Sequence, residues 1–426
     1  MITSPDILRI ARSAWGTASA LRSRRSRNLR FTFGDQWDEP ALDDAGRPST
    51  DRRVALEAGV HPVTNNMIRP MVRTIVGRFR QDSIGYYKKC PVPSSAIPAE
   101  LDARALEEFL ISGCVVQRVV PVPDSVDVSN INPAMFFTNP YSDPRGTDVD
   151  VVGCLHDMSL AEILCRFGRG NAKRTRKIQE LYAALSRSAA PDDPQAAADV
   201  TFLRPAQGRC RVIEVWTRRL SPMISIADRP ATPRSTWICR WLAPDATELA
   251  SYTSPLPGGV HPFVFRHYPL TDGTVRPLVE DVIDQQRAVN RMVTLIDRLV
   301  TTSAKGVLLF PVRQLTPGNS LEQVSKVWSS SSGVIPLSGN CSEMPQQVVT
   351  KDVTSGVTEV LDTQMQLFRD ISGVSSALLG TDVPAATGSG LYNAQTQNSL
   401  TAIADILHSF SCFLDARDRL VTSIKK

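Results

Sequence analysis

The chain has 426 residues, 42% hydrophobic and 21% charged, enough to bury a real core in two or three domains, which excludes a disordered or fibrous class. Its 48 Lys+Arg against 43 Asp+Glu give a net charge of only +5, which excludes a protein that grips nucleic acid over its whole surface. The eight cysteines (Cys90, Cys114, Cys154, Cys165, Cys210, Cys239, Cys341, Cys412) form no CxxC pair and no metal-ligand spacing, so reduced, mostly buried thiols are expected.

Ile7, Leu8, Ala11, Ala14, Trp15, Ala18 and Leu21 mark an amphipathic helix running into an arginine-rich stretch with Arg22, Arg24, Arg25, Arg27 and Arg30; two readings stay open there, a solvated face or contact with phosphate or an acidic partner. The opening residues lack a signal-peptide pattern and no run approaches 18 apolar residues, so a soluble, cytosolic protein is expected. After a Gly34-Asp35-Gln36-Trp37 motif, Ile68, Met71, Val72, Ile75, Val76 and Phe79 mark a second helix within 63–81. Glu100 to Ile111 reads as helix and Cys114 to Val120 as a strand of β-branched residues.

From Val126 to about Leu270 the pattern turns to short strands, at 148–156, 211–218, 235–242 and 261–268. A helix interrupts them, with the capping-box spacing of Ser159 and Glu162 in front. Gly168 to Lys177 is glycine- and lysine-bearing but lacks the GxxxxGK[ST] pattern of a phosphate loop. Residues 186–208, rich in Ala, Pro and Asp, read as a surface excursion.

The second half is organised around Pro277 to Ala304. Leu278, Val279, Val282, Ile283, Val289, Met292, Val293, Ile296, Leu299 and Val300 step by three and four, which predicts one helix of roughly 42 Å. A compact module follows, with apolar runs at 306–311 and 333–337 around a short helix at 321–327. Val353, Val357, Val360, Leu361, Met365, Phe368 and Ile371 predict a further helix ended by Gly373. The glycine-rich stretch 373–390 then opens into a last helix striped by Leu400, Ile403, Ile406, Leu407, Phe410, Phe413, Leu414, Leu420, Val421 and Ile424.

That order, with the wording HPFVFRHYPLTDG, VEDVIDQQRAVNRMVTLIDRL and SGLYNAQTQNSL, and with the GDQW motif and the Asn-x-Ile-x-Pro helix further upstream, resembles the portal (head-to-tail connector) proteins of tailed bacteriophages. The resemblance implies an α+β portal-type fold: wing at 1–125 (helical) and 126–276 (α+β), stem helices at 277–304 and 350–372 flanking a clip at 305–349, a tunnel loop at 373–390, and a long wing helix at 391–426. The sequence reaches only Lys426, which leaves no room for the helical crown of many portals, so a crown-poor or shortened form is expected.

It further implies a homo-oligomeric ring, a dodecamer in the family, forming a double-stranded DNA channel at a capsid vertex of a virion. Lining residues would be Thr381, Asp382, Thr387, Gly388, Ser389, Gly390, Arg287 and Arg291. The clip would dock the terminase large subunit and head-completion or tail proteins, with Phe310, Leu321, Trp328 and Ile335 as anchors; a major capsid or scaffolding protein is the remaining partner, and no membrane is involved. The first stem helix sets Glu280, Asp281, Asp284 and Asp297 against Arg287, Arg291 and Arg298, a near balance that suits a wall past which DNA slides.

No nucleophile elbow, HExxH pair, P-loop or kinase set is present, so neither catalysis nor a cofactor is expected. His156 beside Asp157 reads as structural, because neighbours in a strand or helix point apart, and Glu280, Asp281 and Asp284 read as a solvated acidic face, not a metal cluster. The alternatives to a portal are a nuclease or ring translocase with a diverged site, and a helical scaffold or adaptor without DNA.

Overall fold

A computed structural model describes residues 3–43, 45–89, 99–123, 125–188, 201–205, 208–220, 235–271, 273–303, 307–311, 320–329, 346–348, 354–374, 378, 397–398 and 401–425. The fold is α+β. In chain order the first half carries α1 (Ser4–Thr17), α2 (Ser19–Phe33), β1 (Pro40–Leu42), β2 (Pro48–Thr50), α3 (Asp51–Glu57), α4 (Ile68–Lys89), α5 (Ala99–Ser112), β3 (Cys114–Val122), β4 (Ser125–Asn130), β5 (Phe136–Thr138), β6 (Val151–Met158), α6 (Leu160–Gly168) and α7 (Ala172–Ser188). There follow β7 (Cys210–Leu220), β8 (Ser235–Leu242), β9 (Glu248–Thr253), β10 (Phe263–His267), α8 (Leu278–Asp281), α9 (Ile283–Ser303), β11 (Val307–Leu309), α10 (Leu321–Ser329), β12 (Gln346–Val348), α11 (Thr354–Ser372) and a last helix, Ala404–Lys425.

The chain divides into two compact units, the first made of Met1–Phe33, Ile68–Val282 and Ser372–Lys426, the second of Gly34–Met67 and Ile283–Ile371. In the first unit an antiparallel meander orders its strands β5-β6-β7-β8-β9. Strand alternation splits its side chains between two cores. Val152, Cys154, Val212, Trp216, Cys239 and Trp241 meet Ile163, Phe167, Ile178 and Tyr182 of α6 and α7 on one face. Phe137, Leu155, Ile213, Val215 and Leu242 meet Ile7, Ala11 and Ala14 of α1 on the other. Each large apolar side chain fully buried here stabilises the unit by about 1.5–3 kcal/mol.

Gly153 lies opposite Phe137 in the β5–β6 register, and a Cβ there would run into the Phe137 ring and the Glu214 carbonyl, so the ring lies over bare backbone. Ser159 accepts from the Glu162 amide at 3.2 Å and starts α6, as the capping-box spacing predicts. A smaller sheet, β10-β3-β4, receives the last helix, whose Phe410, Phe413, Leu414 and Val421 are buried.

Three expectations about continuity are corrected. The N-terminal helix ends at Thr17 and restarts at Ser19. The helix expected over 277–304 is α8 followed by α9, because Val282 leaves helical geometry at φ −107°, ψ 0°; its buried side chain keeps the apolar step unbroken in the sequence although the backbone is not. The excursion at 186–208 is not all surface: Phe202 is buried against Trp15 and Phe137.

Candidate functional site

The second unit carries the described candidates for a channel wall. Along α9, Gln286, Asn290 and Thr294 follow one another at i, i+4 and i+8, on the flank of the helix beside its apolar stripe, and all three are buried. They accept from the backbone amides of Met67 (2.9 Å), Asn65 (3.0 Å) and Val63 (3.0 Å). Two residues of extended chain cover nearly the same length as one helical turn, so each turn of α9 holds every second amide of the segment before α4. Gln286 Nε2 donates back to the Asn65 carbonyl at 2.7 Å and to Asn290 Oδ1 at 3.0 Å, and Asn290 donates to Gln36. Sequence reading missed this ladder, although uncharged polar residues repeating every fourth position on one flank of the helix are its signal.

Of the proposed lining residues, Arg287 is half-buried and bound to Asp284 at 3.0 Å and to Glu39, and burial is outweighed by these carboxylates, which hold its pKa above the ordinary value. Arg291 is exposed, one turn on, with no ion-pair partner among the described residues. Thr381, Asp382, Thr387, Gly388, Ser389 and Gly390 lie outside the described residues.

In the expected clip, β11 and β12 pair antiparallel, Val307 opposite Val348. Ser320 accepts from the Gln323 amide at 3.3 Å and opens α10. Leu321 is 52% exposed at the start of that helix while Val324, one turn on, is buried. Phe310 is half-buried; the side chain of Trp328 and all of Ile335 lie outside the described residues.

Along α11 the apolar residues spread over an arc of about 160°, at about 100° per residue. Phe368, near the middle of that arc, is 3% exposed, whereas Val360, Leu367 and Ile371, spaced seven and four apart along one edge of it, are 45%, 40% and 44% exposed. One chain therefore covers only part of this apolar surface. Leu295 and Val300 of α9 are likewise exposed.

Of the acids expected on a solvated face, Asp281 and Asp284 are exposed and Glu280 alone departs from it. Glu280 takes Arg27 at 2.9 Å and stands 3.9 Å from Arg24, and partial burial raises the pKa of Asp281. The arginines of α2 are used internally too: Arg25 forms a two-pronged pair with Glu108 at 2.7 and 2.8 Å, Arg24 donates to the Val275 carbonyl, and Arg22 lies 3.4 Å over Trp15, where burial pushes its pKa down to about 10.

His156 and Asp157 part as their strand position requires. His156 Nε2 is 2.8 Å from Glu214, while Asp157 pairs with Arg211 at 3.0 Å. Glu214 is fully buried and also accepts from Arg118 at 2.9 Å and from the Trp216 indole at 2.8 Å. Against burial, which favours the neutral acid, these donors hold its pKa below the ordinary range, so the group works as a buried anionic tie between β3, β6 and β7.

Among the described residues no group of three or more His, Cys, Asp or Glu could hold a metal ion, and no helix is long and apolar enough to cross a membrane. The described cysteines are all free, and Cys114, Cys154 and Cys239 are buried; Cys90 and Cys341 lie outside the described residues.

No family model and no curated protein matches the chain. Solved structures similar to it include one titled the virion of a native gene transfer agent (GTA) particle, at 12% identity and a TM-score of 0.35, covering 85% of this chain and 86% of that one.

Proposed function

We propose that this chain is a portal-type subunit: a non-enzymatic, ring-forming protein whose closed circle of copies makes a channel for double-stranded DNA at a capsid vertex. The observation that carries the reading is the apolar stripe of α11, Val360, Leu367 and Ile371, which one chain leaves exposed. An exposed apolar stripe on a long helix calls for a covering surface, and in a ring the neighbouring copy supplies it.

The sequence of elements α9, β11, α10, β12 and α11 supports the same reading, since it is the stem, clip and stem order that the sequence resemblance implies. In this reading Arg291 faces DNA, while Arg287 is neutralised by Asp284 and Glu39 and keeps the wall from gripping phosphate. The clip at 305–349 docks the terminase large subunit and then head-completion or tail proteins, with Phe310 and Leu321 as contacts. The energy for packaging comes from that separate ATPase.

Electron microscopy of the purified full chain tests this. Rings with a central hole are expected. Monomers or dimers would reject it in favour of an adaptor, and ATP hydrolysis or DNA cleavage by the purified chain would favour an enzyme.

A further inference from the structure

The stretch from Arg166 to Lys177 holds six cations (Arg166, Arg169, Lys173, Arg174, Arg176, Lys177) and no carboxylate. The structure places it at the end of α6, the turn, and the first two turns of α7. Half of these cations are engaged: Arg166 lies 4.2 Å over Trp241, Arg174 donates to the Leu249 carbonyl, and Arg176 pairs with Glu180 at 3.0 Å. Arg169, Lys173 and Lys177 are exposed, with no ion-pair partner among the described residues. Lys173 and Lys177 share one face of α7 at i and i+4, and Arg169 sits in the left-handed turn at φ 49° just before it.

We propose that this α6–α7 hairpin is a docking surface for the phosphate backbone of nucleic acid, read without regard to sequence through Arg169, Lys173 and Lys177. The kind of partner follows from what surrounds the three charges. Asn171 caps α7, accepting from the Lys173 and Arg174 amides at 3.0 and 3.2 Å, so the helix end has spent these amide donors and does not cradle a single phosphate group. None of the exposed large apolar side chains among the described residues lies on α6 or α7, which removes the anchor that a membrane surface or a protein hot spot uses. What remains is a row of long, unpaired cations, suited to an extended, regularly charged chain. The inference goes beyond the channel reading and stands even if the chain forms no ring.

The test is binding of the full chain to a short labelled DNA duplex of mixed sequence between 50 and 200 mM salt, beside the R169Q/K173Q/K177Q variant. Affinity independent of sequence is expected, with a loss of about tenfold or more in the variant and a salt slope shallower by about three. The K177Q variant should lose about one unit of slope and serves should the triple variant misfold by circular dichroism. Equal affinity and slope in wild type and both variants would overturn the proposal. Binding of poly-glutamate or anionic vesicles in place of duplex would also overturn it.

Discussion

Two stretches of this chain look alike in sequence and fare differently in the fold. Helix α2 carries Arg22, Arg24, Arg25, Arg27 and Arg30, and the stretch from Arg166 to Lys177 in the α6–α7 hairpin carries six cations; neither stretch holds a carboxylate. In α2 the charges are drawn inward, to Glu108, Glu280, the Val275 carbonyl and the Trp15 ring. On the hairpin three of six reach solvent unpaired among the described residues. Local composition is thus a poor guide to a basic stretch, because the acids that consume it lie 83 and 253 residues away in sequence. Exposure without a partner is the property that separates a binding face from a set of internal ties.

Arg417 takes the inward trend to its limit, 1% exposed and bound to Asp102 at 0%. Asp102→Asn should therefore cost the most, about 3 kcal/mol in chemical denaturation, since it leaves the buried guanidinium with Asp418, at 2.9 Å, as its remaining ion-pair partner among the described residues; a cost under about 1 kcal/mol would break the comparison at its strongest point. Glu280→Gln should cost about 1–3 kcal/mol, because Arg27 and Arg24 lose a half-buried partner, and the loss should shrink only modestly in high salt.

Acidification sharpens the comparison by leaving both arginine-rich stretches charged. Burial pushes His261 and His267 down to about 4, while an unfolded chain protonates them near 6.5. Between those values the unfolded state binds more protons, so stability rises with pH and is lost as pH falls. Thermal unfolding at pH 5 against pH 7 should show a loss of about 3–4 kcal/mol for the two rings together, removed in H261N/H267N. The smallest effect belongs to the hairpin: K173Q/K177Q should change stability by no more than about 0.5 kcal/mol, while its duplex affinity falls.

Much of the fold could be read in advance where local pattern and burial agree. Trp237, Cys239 and Trp241 alternate in β8, and Ser159 with Glu162 marks the start of α6; both strand and cap fall where the pattern puts them. The break at Val282 could not be read, because an apolar residue at the right step conceals a backbone that leaves the helix for one residue. The ion-pairing role of Glu280 was hidden for a different reason. Its partners sit on α2, and sequence spacing carries no information about contacts between elements so far apart. Of the candidate site, Arg287, Arg291, Phe310 and Leu321 are described, and only Arg291 and Leu321 have the exposure the reading asks of them.

The stripe on α11 gives the most direct test of a ring-forming subunit. The solution mass of the full chain should correspond to a closed multi-subunit assembly, and V360E/L367E, which places charge on that stripe, should reduce it to single chains with an unchanged circular dichroism spectrum. A wild-type chain that stays monomeric, or a variant whose assembly is as large as the wild type's, would contradict the proposal that copies of this chain cover one another along that helix.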